Sequence, residues 1–122
     1  MDFKIIFPAG YQIKDVSNSN IDINIILKSG DVYWGTLFTI ENIQHLLNKD
    51  GDPCFWATDM LIVKDLTEKT IREAIDRMIK DDFFAKAFSK TGDILKQYPG
   101  MSFDEIPDMA IGYNLNSKLD NI

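Results

Sequence analysis

Apolar and polar residues between Ile21 and Thr39 fall into two runs about a turn. Ile21, Ile23, Ile25 and Leu27 alternate with Asp22, Asn24 and Lys28, the period of two of a strand with one buried face. Ser29-Gly30 supplies turn chemistry, since glycine takes positive φ without steric cost. Read as a two-residue loop, this turn predicts Leu27 opposite Val32, Ile25 opposite Trp34, Ile23 opposite Thr36 and Ile21 opposite Phe38. Trp34 then points to the apolar face.

The pattern on either side predicts the remaining elements. Phe3 to Phe7 is a short strand that Pro8 and Gly10 end. Thr39 has the chemistry of a helix N-cap, and Ile40, Ile43, Leu46 and Leu47 form a stripe at helical spacing that stops in N-K-D-G-D-P. Phe55 to Lys64 reads as a third strand, well covered because its second half is apolar on both faces. Thr67 repeats the cap, with Thr70 and Glu73 as a rival capping box. Ile71, Ala74, Ile75, Met78 and Ile79 then follow the i, i+3, i+4 spacing of an amphipathic helix. A break near Lys80-Asp81 precedes a new helical stripe on Phe84 and Phe88 that ends at Lys90 and Gly92. This order predicts an α+β domain over residues 1–92: a small, mainly antiparallel β-sheet with helices packed on one face. Residues 93–122, with Pro99, Gly100, Pro107 and Gly112 among scattered apolar positions, are expected as a C-terminal tail, packed on the domain or partly disordered.

Composition narrows the classes. A chain of 122 residues with 45% hydrophobic content suffices for one core without staples. Its net charge of −6 argues against a nucleic-acid partner, which demands clustered Lys and Arg, and suits a protein partner with a basic surface. The lone Cys54 suits a reducing compartment. The N-terminal apolar run is too short for a secretion signal, and no run approaches a membrane span, so the expected setting is the cytoplasm, without membrane contact.

Candidate chemistry is sparse. His45 and Cys54 are the sole members of any thiol–imidazole dyad, and the His and Cys that zinc favours are otherwise missing. Asp50 and Asp52 lack the spacing and terminal Glu of a calcium loop. No catalytic residue, cofactor site or metal site is therefore expected. Asp59 stands out in the predicted third strand, where aspartate is disfavoured. It reads as a hydrogen-bonded structural residue or as a carboxylate aimed at a partner. Tyr33, Trp34, Phe55 and Trp56 are core aromatics or, with Asp59, the lining of a small-ligand or enzymatic pocket. Asp81, Asp82, Asp104, Glu105 and Asp108 are candidates for an acidic recognition patch.

The segments ILKSGDVYWGTLFTIENI and FWATDMLIVKDLTEKTI give a hairpin, a capped short helix, an aromatic strand and a capped amphipathic helix in an acidic chain. In this layout, over roughly residues 20 to 90, the chain resembles small bacterial immunity proteins of polymorphic-toxin and contact-dependent inhibition systems. The resemblance implies a non-enzymatic module that neutralises one cognate toxin by occluding its basic active site. The alternative is the small-ligand or enzymatic domain built on the aromatic cluster and Asp59.

Overall fold

The computed structural model describes residues 3–7 and 13–111. Within them the chain runs β1 (Phe3–Phe7), β2 (Asn20–Leu27), β3 (Asp31–Thr39), α1 (Ile40–Asp50), β4 (Met60–Val63), α2 (Glu68–Lys80), α3 (Phe84–Ala87), β5 (Ser89–Asp93), α4 (Ile94–Gln97), a 3-10 turn (Phe103–Glu105) and β6 (Ala110–Ile111). The strands form one mixed sheet in the order β4-β3-β2-β1-β6, with β5 also paired to β3. The architecture is α+β. The β1–β2, β2–β3 and β3–β5 pairings are antiparallel, whereas β3–β4 and β1–β6 are parallel. The expected strand end at Pro8 and Gly10, and residues 112–122 of the expected tail, lie outside the described residues.

The β2–β3 hairpin forms, in a register one residue from the expected one. Ile25 lies opposite Tyr33, Ile23 opposite Gly35 and Ile21 opposite Leu37. Its loop has three residues, Lys28, Ser29 and Gly30; the Gly30 N–H donates to the Leu27 carbonyl at 2.9 Å, and Gly30 has φ 100°. That is a three-residue hairpin with glycine in the left-handed position. A slip of one turns every side chain of β3 over. Trp34 therefore pairs with Asn24 and is half-buried on the face opposite Ile21, Ile23 and Ile25. The pattern of β3 did not select between registers because both of its faces carry apolar residues.

Both predicted caps form. The Thr39 hydroxyl accepts the Asn42 N–H at 3.2 Å, and the Thr67 hydroxyl accepts the Thr70 N–H at 3.2 Å. Helix α1 closes on Gly51 with φ 65°, and α2 ends at Lys80, at the expected break. Two expected elements change. The strand expected over 55–64 is ordered as β4 only from Met60, because Thr58 and Asp59 form a turn with Asp59 at φ 54°. The helix expected over Phe84 to Gly92 is a single turn. Phe88 is extended at φ −117°, ψ 155°, and β5 follows.

The reason for β5 is an unfilled edge. Strand β4 covers β3 only over Thr36–Thr39, and β5 pairs with the other half, Asp31–Trp34. Gly35 lies between. A Cβ built there would stand 2.2 Å from the Phe88 ring, so only glycine lets that ring seat where the two partners meet.

Packing is two-sided. On one face Ile5, Ile23, Ile25 and Leu37 meet Ile71 and Ile75 of α2 and the rings of Phe84 and Phe88. The Tyr33–Phe84 and Phe84–Phe88 rings meet edge to face at 4.7 and 5.6 Å. On the other face Ile6, Ile26 and Val32 are covered by Ile94, Tyr98 and Ile106. Residues 94–106, expected in the tail, thus supply one whole side of the core.

Candidate functional site

The candidate carboxylates fall into two groups: those spent on the fold and those held out from it. Asp59 belongs to the first. Its side chain accepts the Ser89 hydroxyl at 2.7 Å and its carbonyl accepts the Thr36 N–H at 2.9 Å. It ties the start of β4 to the start of β5 across Gly35. The left-handed backbone that removes it from a strand is one that aspartate tolerates better than most residues. Asp108 is also structural: one oxygen accepts the Ile5 N–H at 3.0 Å and the other pairs with Arg72 of α2. Glu105 accepts the Ser102 N–H at 3.0 Å in a capping box around the 3-10 turn, and Asp104 is exposed beside it.

Asp81 and Asp82 are of the second kind. Both are exposed at the end of α2, where Asp81 is the C-cap and lies 3.8 Å from Arg77. Asp82 follows with φ 61°. Two carboxylates here oppose the helix dipole, at about 0.3–1 kcal/mol each. The next residue, Phe83, is 61% exposed, and Lys86 Nζ sits 5.7 Å from its ring centroid. The turn between α2 and α3 therefore presents two carboxylates and an aromatic ring to solvent. The candidate acids do not join into one patch. Asp81 and Asp82 end the helix on one face of the sheet, and the turn holding Asp104 and Glu105 belongs to the opposite face.

The candidate aromatic pocket is also dispersed. Tyr33 packs on Phe84, Trp34 points to the other face, Phe55 packs on Phe38 at 5.0 Å between centroids, and Trp56 is 77% exposed. His45 and Cys54 are both exposed. Among the described residues, no three His, Cys, Asp or Glu side chains converge as metal ligands. Elsewhere on α2, a hydrogen bond from Lys80 to Asp76 holds the Lys80 ammonium above its ordinary range.

Sequence reading missed Phe83, and it expected the strand that holds β4 to be well covered, whereas β4 lies at an edge of the sheet with apolar residues on both of its faces. The spacing of Phe84 and Phe88 marks those two as core, which leaves Phe83 as an aromatic off the stripe. Strand β4 is the outermost strand, and Ile62 within it is half exposed. A groove of 420 Å³ runs between β4 and α2, floored by Leu61, Val63, Ala74 and Met78 and rimmed by Glu73 and Arg77.

These features define an α+β domain whose exposed distinguishing groups sit on a turn and a sheet edge. Comparison with protein families, curated proteins and solved structures finds no match for the chain. Among the described residues no helix is long and apolar enough to cross a membrane.

Proposed function

We propose that this chain is a non-enzymatic protein-binding module: an immunity protein that acts in the bacterial cytoplasm by occluding the basic active site of a cognate toxin. The observation that carries the reading is the Asp81-Asp82-Phe83 turn. Its carboxylates stand where the helix dipole disfavours them, one on left-handed backbone, beside an exposed ring. A sequence selected for stability alone places a basic residue and glycine there. Aromatic side chains, Phe included, are enriched at protein interfaces, and carboxylates complement a basic cleft. Net charge adds long-range steering toward such a cleft.

The test is to express the product of the adjacent reading frame with and without this chain, and to titrate the two purified proteins together. The neighbour is expected to arrest growth and this chain to restore it. Association is expected to slow as salt rises, because the Debye length falls from about 10 Å at 0.1 M to about 3 Å at 1 M. Reversing both Asp81 and Asp82 to Lys is expected to weaken the complex at least tenfold with the denaturation midpoint held. A harmless neighbour, or a complex indifferent to that reversal, overturns the reading.

A further inference from the structure

Two segments fit one stretch of sheet edge. Strand β3 bonds to β2 along one side, and its other side is shared end to end: β4 takes Thr36–Thr39 and β5 takes Asp31–Trp34. Continued upstream without a slip, the parallel β3–β4 register would set Asp59 opposite Gly35, Thr58 opposite Trp34, Ala57 opposite Tyr33 and Trp56 opposite Val32. That is the half-edge β5 now holds. By residue type the absent strand is the better one: Trp56 and Thr58 favour strands, whereas Lys90, Gly92 and Asp93 of β5 are types depleted in them. Strand β5 also meets β3 with a register shift between Val32 and Tyr33, and Trp56 is left 77% exposed.

We infer that residues 56–59 exchange with β5 for the Asp31–Trp34 edge, and that Asp59 is the catch that keeps β5 in place. At φ 54° Asp59 turns the chain off the edge just before Met60, and its carboxylate accepts the Ser89 hydroxyl at 2.7 Å, holding the first residue of β5. In the exchanged strand, pleating would put residue 59 on the face of Leu61 and Val63, opposite Gly35, where the Phe88 ring now sits. A carboxylate entering that apolar place loses water without gaining a partner, so aspartate holds the exchanged state to a minor population. The ion pair on the β5 side, Lys90 with Asp31 at 3.0 Å, is too exposed to lock the strand by itself.

The exchange reaches beyond the edge. The Phe88 N–H donates to the Phe84 carbonyl at 3.1 Å, and the Lys86 and Ala87 N–H groups donate to the Phe83 carbonyl at 3.0 and 3.1 Å. One helical turn, α3, therefore joins the Asp81–Phe83 turn to the seat of Phe88. Lifting Phe88 from Gly35 frees α3 at its far end, so a ligand of the turn that prefers one arrangement shifts the exchange. The exchange itself does not depend on the proposed partner.

The experiment is amide hydrogen exchange on the full chain and two variants, read at Ala57 and across Ser89–Asp93. The Thr36 N–H donates to the Asp59 carbonyl at 2.9 Å, which fixes the alternation of the parallel ladder. The exchanged strand would then bond the Ala57 and Asp59 N–H groups to the carbonyls of Val32 and Trp34. Asp59→Val removes the carboxylate, disfavours the left-handed turn and offers an apolar side chain to the place opposite Gly35. It is expected to slow exchange at Ala57 by about tenfold or more and to speed it across Ser89–Asp93. Gly92→Pro acts from the other side, since Gly92 has φ 156° and proline holds φ at about −65°. It leaves residues 56–59 untouched and is expected to give the same pair of changes. Both variants are expected to keep a cooperative melt, with residues 56–59 in the vacated place. Exchange at Ala57 as fast as in the parent in either variant, or a melt without cooperativity in either, overturns the inference.

Discussion

At the scale of single residues, two positions decide more than their size suggests. Gly35 is the gap between two strands on one edge of β3, and the Phe88 ring occupies the place a Cβ would take. Gly35→Ala is expected to destabilise by about 1–3 kcal/mol, the cost of forcing a packed ring aside. Urea denaturation checks this, and a midpoint equal to that of the parent would place Phe88 elsewhere. Asp82 is the converse case, a residue the fold does not want. Asp82→Gly relieves left-handed strain and a carboxylate at a helix C-terminus. It is expected to leave stability equal or raise it by about 1 kcal/mol, glycine's unfolded-state entropy taking back part of the gain. Under the proposed function the same variant is expected to bind the proposed toxin partner more weakly, which separates stability from binding in one molecule. A clear fall in stability would show that the Asp82 carboxylate supports the fold.

At the scale of elements, α2 is the best specified part of the chain. Its stripe, its Thr67 cap and its end at Lys80 were all readable from spacing. The cap extends upstream, where hydrogen bonds from Thr70 and Thr67 hold the Asp65 carboxyl below the ordinary carboxylate range. The unfolded chain therefore binds the Asp65 proton at a higher pH than the folded chain does. The stability this carboxylate contributes is complete above the ordinary aspartate value of about 3.9, and is lost as pH falls through the lower folded value. Asp65→Asn removes that component, so its stability is expected to decline less steeply with acid across this window. Denaturation midpoints of the two chains measured through the acid range check it; parallel declines would mean that Asp65 is not capped in solution.

At the scale of the whole molecule, the sheet has two covered faces and the second is closed late. Ile6, Ile26 and Val32 are fully buried, and their cover comes from Ile94, Tyr98 and Ile106. Lys4 on β1 reinforces that cover by donating to the carbonyls of Phe103 and Ile106, the latter at 2.6 Å. Truncation after Gly92 is therefore expected to yield a chain that binds a hydrophobic dye and unfolds without a cooperative transition. A sharp two-state melt of the shortened chain would show that the first face suffices.

The sequence by itself determined the strands and helices whose signals are local. These are the alternation of β2, the caps at Thr39 and Thr67, the α2 stripe and the α+β class that follows from their order. It also marked Asp59 as anomalous, though the anomaly proved to be a turn bonded to Ser89, not a carboxylate within a strand. Other features depended on residues distant in sequence. A three-residue loop and a two-residue loop differ by one position in a β3 that is apolar on both faces, so only packing against β1, β2 and α2 chose the register. Strand β5 exists because β4 leaves half of an edge open, a vacancy that no local pattern of Ser89–Asp93 announces. Residues 94–106 read as a tail because their apolar positions have no period; they are buried because the second face of the sheet needed covering, and burial requires only proximity.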